Sequence, residues 1–307
     1  MVEVENLTRR FGAREAVSGL SFEVARGQIF GVLGPNGSGK STLFRILATM
    51  LAPSEGVARV AGFDVTAQPD QVRARIGVVF QSFSLDRKLT VAENLTAQGH
   101  LYGLSGAGLR DRMQASMARL GILERRRDLV GTLSGGLQRR VEIAKALLHR
   151  SEALLMDEPS TGLDPGARRE LWQYIEELRA GGATVLATTH ILDEADRCDK
   201  LLLMHEGRRV AEGTPAELKA RVGGDVVVLE TSDAAELGRQ LAARFGVAPI
   251  LAGGTLRVEI ANGHRFVAEA IEAFPGAIQS IALHKPTLED VFLDLTGAAI
   301  GPEAPFA

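Results

Sequence analysis

Eight consecutive residues, Gly34, Pro35, Asn36, Gly37, Ser38, Gly39, Lys40 and Ser41, fit the pattern G-x-x-x-x-G-K-[ST], and Thr42 extends the loop. The glycines let successive backbone N–H groups turn inward around a polyphosphate, and the helix that follows adds the positive end of its dipole. Lys40 supplies a mobile cation for the outer phosphates, and the Ser41 hydroxyl is placed to ligate Mg2+. A glycine-rich turn without a ligand would have no use for Lys-Ser after Gly39. Alone, the pattern defines a phosphate-loop nucleotide-binding protein, a description shared by kinases, GTPases and motors.

A second chemical group ends the apolar run Ala153 to Met156, where Asp157 and Glu158 follow directly. At the carboxyl end of a parallel strand both would face a nucleotide crevice. Asp157 can hold Mg2+, directly or through water, and Glu158 can polarise an attacking water as general base. Taken alone, a charged turn capping a buried strand explains the pair equally well; with a phosphate loop upstream the chemical reading prevails. A third feature is Ser134, Gly135 and Gly136 at a helix start, which build a second anion site from free N–H groups and the dipole. By itself it is more simply a Ser cap with a glycine turn. One γ-phosphate needs only one cradle, so the second would complete a site on another copy.

The elements that must position these residues alternate. Residues 28–33, 76–80, 153–156, 184–188 and 201–204 read as strands, and residues 40–50, 137–149 and 167–179 as helices. The continuously apolar run at 153–156 suits a strand covered on both faces, and the alternation predicts an α/β fold with a largely parallel sheet. Between Phe80 and Arg150 the strand signal disappears. Thr90 and Glu93 form a capping box that opens a helix to about Leu101, and a second helix covers about 109–120, with Gly103, Gly106 and Gly108 marking the turn. The expected insert is therefore helical, over about 82–150. Thr214, Pro215 and Glu217 form another capping box, whose helix ends near Gly223 and Gly224. Beyond it the order β-α-β-β-α-β, with strands at 226–230, on both sides of Gly253 and Gly254, and at 278–283, matches a small α+β, ferredoxin-like unit. The expected domains are 1–222 and 223–300, with 301–307 a loose tail.

The 307 residues carry a formal net charge of −3, which gives no general attraction to nucleic acid, and none is expected as a partner. The lone Cys198 cannot form an internal disulfide and reads as a small buried group. No secretory leader is visible, and no stretch reaches the roughly 18 apolar residues needed to cross a bilayer, so any membrane role would come through a partner.

Taken together, the set resembles the nucleotide-binding subunit of an ABC transporter over about residues 1–220. Leu133 to Gln138 is similar to the family signature LSGGQ, Leu154 to Glu158 to its acidic strand and catalytic glutamate, and Ser160 to Asp164 to its D-loop. Gln81 falls at the family's glutamine loop, His190 at its switch histidine, and Phe11, 29 residues before Lys40, where the family stacks an aromatic ring on adenine. The resemblance implies a head-to-tail homodimer in which each Mg-ATP lies between the phosphate loop of one copy and the signature of the other. Gln81 would sense Mg2+ and γ-phosphate and pass the state to a separate transmembrane permease, His190 would hold the attacking geometry, and Asp164 would help join the two sites. The chain would then sit in the cytoplasm, peripheral on the inner face of the membrane. On its own surroundings His190 is a polar residue ending a strand, and a structural role stands equally open. Two departures, Leu137 in place of the signature Gln and Ser160 in place of the commoner Thr, leave the phosphate-facing groups and both carboxylates intact.

Lys285 to Gly297, and Arg139 to Ala144 after the signature, are similar to drug-resistance exporters of the daunorubicin type, whose relatives move antibiotics, polysaccharides, ions or lipids. The second domain, without a catalytic constellation, would stabilise or regulate the dimer. A soluble ABC ATPase acting on ribosomes would usually carry two ATPase sets, a chromosome-maintenance ATPase would separate its motifs by long coiled coils, and a plain kinase would have no reason to hold the signature and His190.

Overall fold

A computed structural model describes residues 1–252, 254–298 and 300. The chain divides into two compact units, Met1–Arg209 and Val210–Ala307.

In the first unit, β1 (Val2–Phe11) and β2 (Arg14–Val24) form an antiparallel hairpin with Phe11 opposite Arg14. β3 (Ile29–Leu33) runs into the glycine loop and α1 (Lys40–Leu47). β4 (Glu55–Val60) and β5 (Phe63–Asp64) complete a four-stranded sheet ordered β2-β1-β4-β5. The short α2 (Pro69–Arg73) leads to β6 (Ile76–Val79). Three helices then follow without an intervening strand: α3 (Val91–Leu101), α4 (Gly106–Arg119) and α5 (Gly135–Leu147). The chain returns to the sheet as β7 (Ala153–Asp157), α6 (Pro165–Ala180), β8 (Thr184–Thr189), α7 (Leu192–Ala195) and β9 (Lys200–His205). The strands β9-β3-β8-β7-β6 lie side by side and parallel.

Every residue of β3, β7 and β8 is buried, as the continuous apolar runs require of strands covered on both faces. Phe22 stacks on Phe30 at 5.3 Å and Phe44 meets Phe80 edge-on at 5.9 Å. Phe80 is half-buried, while full burial of a side chain such as Phe30 or Phe44 contributes about 1.5–3 kcal/mol, which fixes the ends of the strands where the polar residues begin.

The helix starts are governed by their caps. The Thr90 hydroxyl accepts from Glu93 N while the Glu93 carboxylate accepts from Thr90 N, the expected box. Ser134 caps α5 by accepting from Leu137 N, so that helix begins two residues before the expected 137. Asp164 caps α6, accepting from Gly166 N at 2.9 Å and Ala167 N at 3.0 Å. Of the three glycines read from the sequence as turn residues, Gly103 at φ +70° and Gly106 at φ +60° take the left-handed backbone of the turn, Gly106 as the first residue of α4, whereas Gly108 lies inside the helix. Burial of Leu109, Met113 and Met117 along α4 outweighs the roughly 1 kcal/mol cost of the helical Gly108.

β10 (Arg208–Gly213) carries the chain to the second unit. There α8 (Pro215–Lys219) starts at the Thr214 capping box and ends at Lys219, earlier than the glycine pair suggested. β11 (Asp225–Glu230), α9 (Ala234–Phe245), β12 (Ile250–Ala252), β13 (Thr255–Ile260), α10 (Gly263–Ala273) and β14 (Ser280–His284) follow in the expected order of strands and helices. They form an antiparallel sheet ordered β12-β13-β11-β14. Val227, Leu229, Leu256 and Val258 from the sheet bury against Leu237 and Leu241 of α9 and Phe266 of α10. The unit closes with α11 (Leu288–Thr296), whose capping Asp290 also accepts from Arg257 at 2.9 Å. Gly253 and the tail 301–307 lie outside the described residues.

Candidate functional site

The glycine loop leaves β3 at its carboxyl end and wraps the start of α1. Two of its glycines are sterically required. A Cβ on Gly34 would lie 2.3 Å from Met204 O, and one on Gly39, at φ +102°, would lie 2.2 Å from Ala16 O. The loop is therefore pressed against neighbouring backbone and opens only toward its concave side. Lys40 is buried at 4% exposure, and its Nζ donates to Gly34 O at 2.8 Å and Pro35 O at 3.0 Å, bracing the cradle from within. Burial holds the Lys40 ammonium below its ordinary value, against the nearby Glu158 carboxylate, which favours the charge. The Ser38 hydroxyl is buried and has no hydrogen-bond partner, an orphan donor beside the loop.

The pocket over this loop has a volume of about 380 Å3 and gathers Phe11, Asn36, Gly37, Gly39, Lys40, Ser41, Thr42, Gln81 and Glu158. Phe11 is 49% exposed at the rim, with Arg9 on its ring at 4.7 Å, so an aromatic face remains for a flat ligand. Arg14 and Ala16 of β2 also line the pocket and were not singled out from the sequence; the only signal for Arg14 is a basic residue three places after Phe11.

Glu158 stands at the centre. Its Oε1 lies 3.4 Å from Lys40 Nζ, while its Oε2 accepts from Gln81 Nε2 and Thr161 Oγ1, each at 3.3 Å. His190 Nδ1 lies 3.3 Å from the same Oε2, off-line for a hydrogen bond. The Glu158 backbone is left-handed at φ +43°, a strained conformation for a residue with a side chain, and its N–H is held by Thr188 O at 3.2 Å and Thr188 Oγ1 at 3.0 Å. Asp157, buried beside it, accepts from Thr188 Oγ1 at 2.6 Å and from Ser41 Oγ at 3.3 Å. Burial pushes its carboxyl up, and the two hydroxyl donors and Lys40 only partly oppose this. A buried carboxylate against the Ser41 hydroxyl, with the Gln81 side chain in the same pocket as Ser41, is a donor set that suits a hard divalent ion. Among the described residues no cluster of three or more His, Cys, Asp or Glu side chains could hold a metal unaided; such an ion would draw its other ligands from phosphate and water.

Ser134, Gly135, Gly136 and Asp164 do not line this pocket. They lie together instead, since a Cβ on Gly136 would approach Ala167 of α6 to 3.0 Å and one on Gly135 would approach Leu163 to 3.3 Å. The starts of α5 and α6 thus form one corner of the unit.

Glu194 on α7 was not singled out from the sequence. It is 1% exposed and its carboxylate accepts from Ser160 Oγ, and from Thr189 Oγ1 at 2.6 Å, with Arg168 Nε at 3.8 Å. Thr189 Oγ1 in turn accepts from Ile191 N at 3.0 Å, so the two neighbours of His190 are tied to one oxygen. No motif announces a residue whose partners lie 34 and 5 positions away. Cys198 is buried, as expected, and burial pushes its thiol far above the ordinary range. Among the described residues no helix is long and apolar enough to cross a membrane.

A polyphosphate cradle at the end of β3, with two carboxylates at the same end of β7 two strands away, defines a phosphate-loop ATPase. Residues 17–161 match the family described as "ABC transporter", and residues 129–194 also match an AAA domain family. The chain is 39% identical over 309 residues to the daunorubicin resistance ATP-binding protein DrrA3 of Streptomyces coeruleorubidus, covering 96% of each. It is 41% identical over 306 residues to the Nod factor export ATP-binding protein I of Ralstonia nicotianae, covering 97% of this chain and 94% of that one. Among solved structures, the ATP-binding subunit of an ABC transporter superposes with a TM-score of 0.65 at 30% identity, over 73% of this chain and 93% of that one. The dimeric ATP-binding cassette MJ0796 bound to ADP and Pi superposes with a TM-score of 0.63 at 27% identity, over 70% of this chain and 98% of that one. The chain belongs to the ATP-binding subunits of ABC transporters, and it is an ATPase.

Proposed function

We propose that the chain powers export of a drug, antibiotic or lipid-like compound through a separate transmembrane permease, hydrolysing Mg-ATP at sites shared between two copies. It would lie on the cytoplasmic face of the membrane, held there by the permease. The observation that carries the catalytic part is the Glu158 carboxylate at the pocket floor, its two oxygens within 3.4 Å of Lys40, Gln81, Thr161 and His190. The export branch rests on the names of the relatives, a daunorubicin resistance protein and a Nod factor export protein.

In this reading Lys40 and the loop N–H groups of Asn36 to Thr42 bind the β and γ phosphates, and Phe11 stacks on the base. Ser41, Asp157 and Gln81 would hold Mg2+, which would supply charge neutralisation on the phosphates. Glu158 takes a proton from the attacking water as Lys40 turns from the carboxylate to the γ-phosphate, and His190 orients the group that Glu158 polarises. Ser134, Gly135 and Gly136, absent from this pocket's lining, present their helix start to the nucleotide of the other copy, with Asp164 beside them. We assign residues 1–222 to the ATPase domain, with its helical insert at about 82–150, and residues 223–300 to an accessory domain that stabilises or regulates the dimer.

The test is complementation between two inactive full-length variants. Lys40→Ala loses its own phosphate loop, and Ser134→Arg blocks only the site on the other copy. A mixed dimer then holds one site with both halves intact, and mixing restores ATP hydrolysis. If each chain completes its own site, mixing restores nothing and the shared-site reading fails. Failure of the chain to co-purify with any membrane-spanning permease would refute the transport role separately.

A further inference from the structure

One face of α5 grips the loop that carries Gln81. Arg139 is fully buried, and its guanidinium donates to Phe80 O at 2.5 Å and to Gln81 O at 2.8 Å. One turn on, Glu142 is also fully buried and accepts from Ser84 N at 2.5 Å and Ser84 Oγ at 3.0 Å. A further turn on, Lys145 donates to Ser84 O at 3.3 Å and to Ser84 Oγ. The Arg139 guanidinium also lies 4.6 Å from the Phe83 ring. Positions 139, 142 and 145 share a helix face by the i, i+3 rule, so the loop from Phe80 to Ser84 is bound backbone-first to a single rigid rod.

Two buried charges on one helix are costly unless their partners are well made. Burial lowers the Arg139 guanidinium's hold on its proton, and Glu142 offsets this. For mere packing, a leucine at 139 would serve better. What the pair adds is direction, because a bidentate guanidinium fixes two successive carbonyls and with them the peptide plane from which the Gln81 side chain projects.

We propose that Arg139 and Glu142 are positioning residues for Gln81, locking the glutamine loop in register with the start of α5. The inference rests on the reading given above, in which Gln81 serves the nucleotide of its own copy and Ser134 to Gly136 that of the other. On that reading the clamp joins two different ATP sites through one helix. A displacement of the α5 start by the partner's nucleotide is delivered to Gln81 with no intervening flexible segment.

The test compares Arg139→Met, Glu142→Gln and Gln81→Ala in the full chain by ATP turnover, KM and thermal unfolding, with the Arg139→Met/Gln81→Ala double variant closing a cycle. Arg139→Met is expected to lower kcat about ten- to a hundredfold, as misplacement of a catalytic group does, while KM stays within about twofold, since no group touching ATP is removed. The double variant turns over no more slowly than the worse single variant, because both act through the same side chain. Losses that multiply, or a folded Arg139→Met with parental kcat beside an impaired Gln81→Ala, overturn the clamp. Parental turnover in Gln81→Ala overturns instead the role given to Gln81, and the clamp with it. Should Arg139→Met fail to fold, Ser84→Ala, on an exposed residue, removes the hydroxyl held by Glu142 and Lys145; a fall in kcat at constant KM supports the clamp and parental kcat overturns it.

Discussion

Replacing Glu158 by glutamine separates binding from chemistry at this site. The substitution keeps shape and the left-handed backbone, and it removes one charge. In the structure that charge lies 3.4 Å from the Lys40 ammonium, an attraction of about 5 kcal/mol at an effective dielectric of about 20. Part of this is already offset, because Asp157 is adjacent and Lys40 keeps its bonds to Gly34 O and Pro35 O. Removing one partner of a buried pair costs about 3–5 kcal/mol, so nucleotide-free Glu158→Gln should unfold at a lower temperature than its parent. ATP restores a counter-charge to Lys40, and the variant should gain more stability from saturating ATP than the parent gains. Binding should be at least as tight as in the parent, since Lys40 no longer has to leave a carboxylate. Loss of the general base should lower turnover about 10²- to 10⁴-fold. The assay is equilibrium binding of ATP, thermal unfolding with and without it, and steady-state phosphate release, all on the full chain. Binding weakened more than about tenfold, or turnover retained above about a tenth of parental, would refute the reasoning.

Three further perturbations follow from the same geometry. Gly39→Ala forces a Cβ to 2.2 Å from Ala16 O at φ +102°; strain alone costs about 1–3 kcal/mol, and both the unfolding midpoint and ATP binding should drop, whereas a parental midpoint would mean the loop has room to move. Asp157→Asn should raise the midpoint of the nucleotide-free protein at neutral pH while abolishing turnover. The reason is that burial raises the Asp157 carboxyl above its ordinary 3.8, so its favourable contribution exists at low pH and is lost as pH rises through the folded value; a lower midpoint for the asparagine variant contradicts this. His149 donates from Nε2 to Ile76 O at 2.8 Å, stacks on Tyr102 at 3.9 Å, and is held below its ordinary 6.5 chiefly by burial. The unfolded chain therefore takes up the proton first, and stability should fall as pH drops below about 6.5. In His149→Phe the midpoint measured from pH 8 to 5 should slope less, and an unchanged slope would assign the effect elsewhere.

Much of the site could be read from the sequence because its residues belong to short local patterns. The loop at Gly34 to Thr42 needs no long-range contact to be recognised, and the fully buried β7 was announced by four apolar residues ending in two acids. The caps at Thr90, Ser134 and Thr214 were legible for the same reason, as cap and partner lie three residues apart. Arg14 and Glu194 escaped, and Arg139 and Glu142 were read only as part of a resemblance, because their roles come from partners far along the chain; Arg139 binds carbonyls 58 and 59 positions away. A buried arginine on a helix looks, from its neighbours in sequence, like any exposed one. Gly108 failed in the opposite direction, because a local preference for turns yielded to packing along the buried side of α4. In the second unit the order of elements was readable from periodicity, but the strand order β12-β13-β11-β14 depends on pairings that no local signal encodes.

The burial of Cys198 has a practical consequence. Its sulfur sits against Glu194 O at 3.6 Å, and even a Cβ added to Gly31 would come within 2.7 Å of it. The chain's single thiol is thus closed to solvent and stays protonated, so maleimide reagents should leave the parent protein unmarked. A Ser82→Cys variant, at an exposed position on the glutamine loop, would then be labelled at one place without first stripping the native cysteine. The protein as it stands is already a clean background for fluorescent or spin-label reporters of how far that loop travels when ATP arrives.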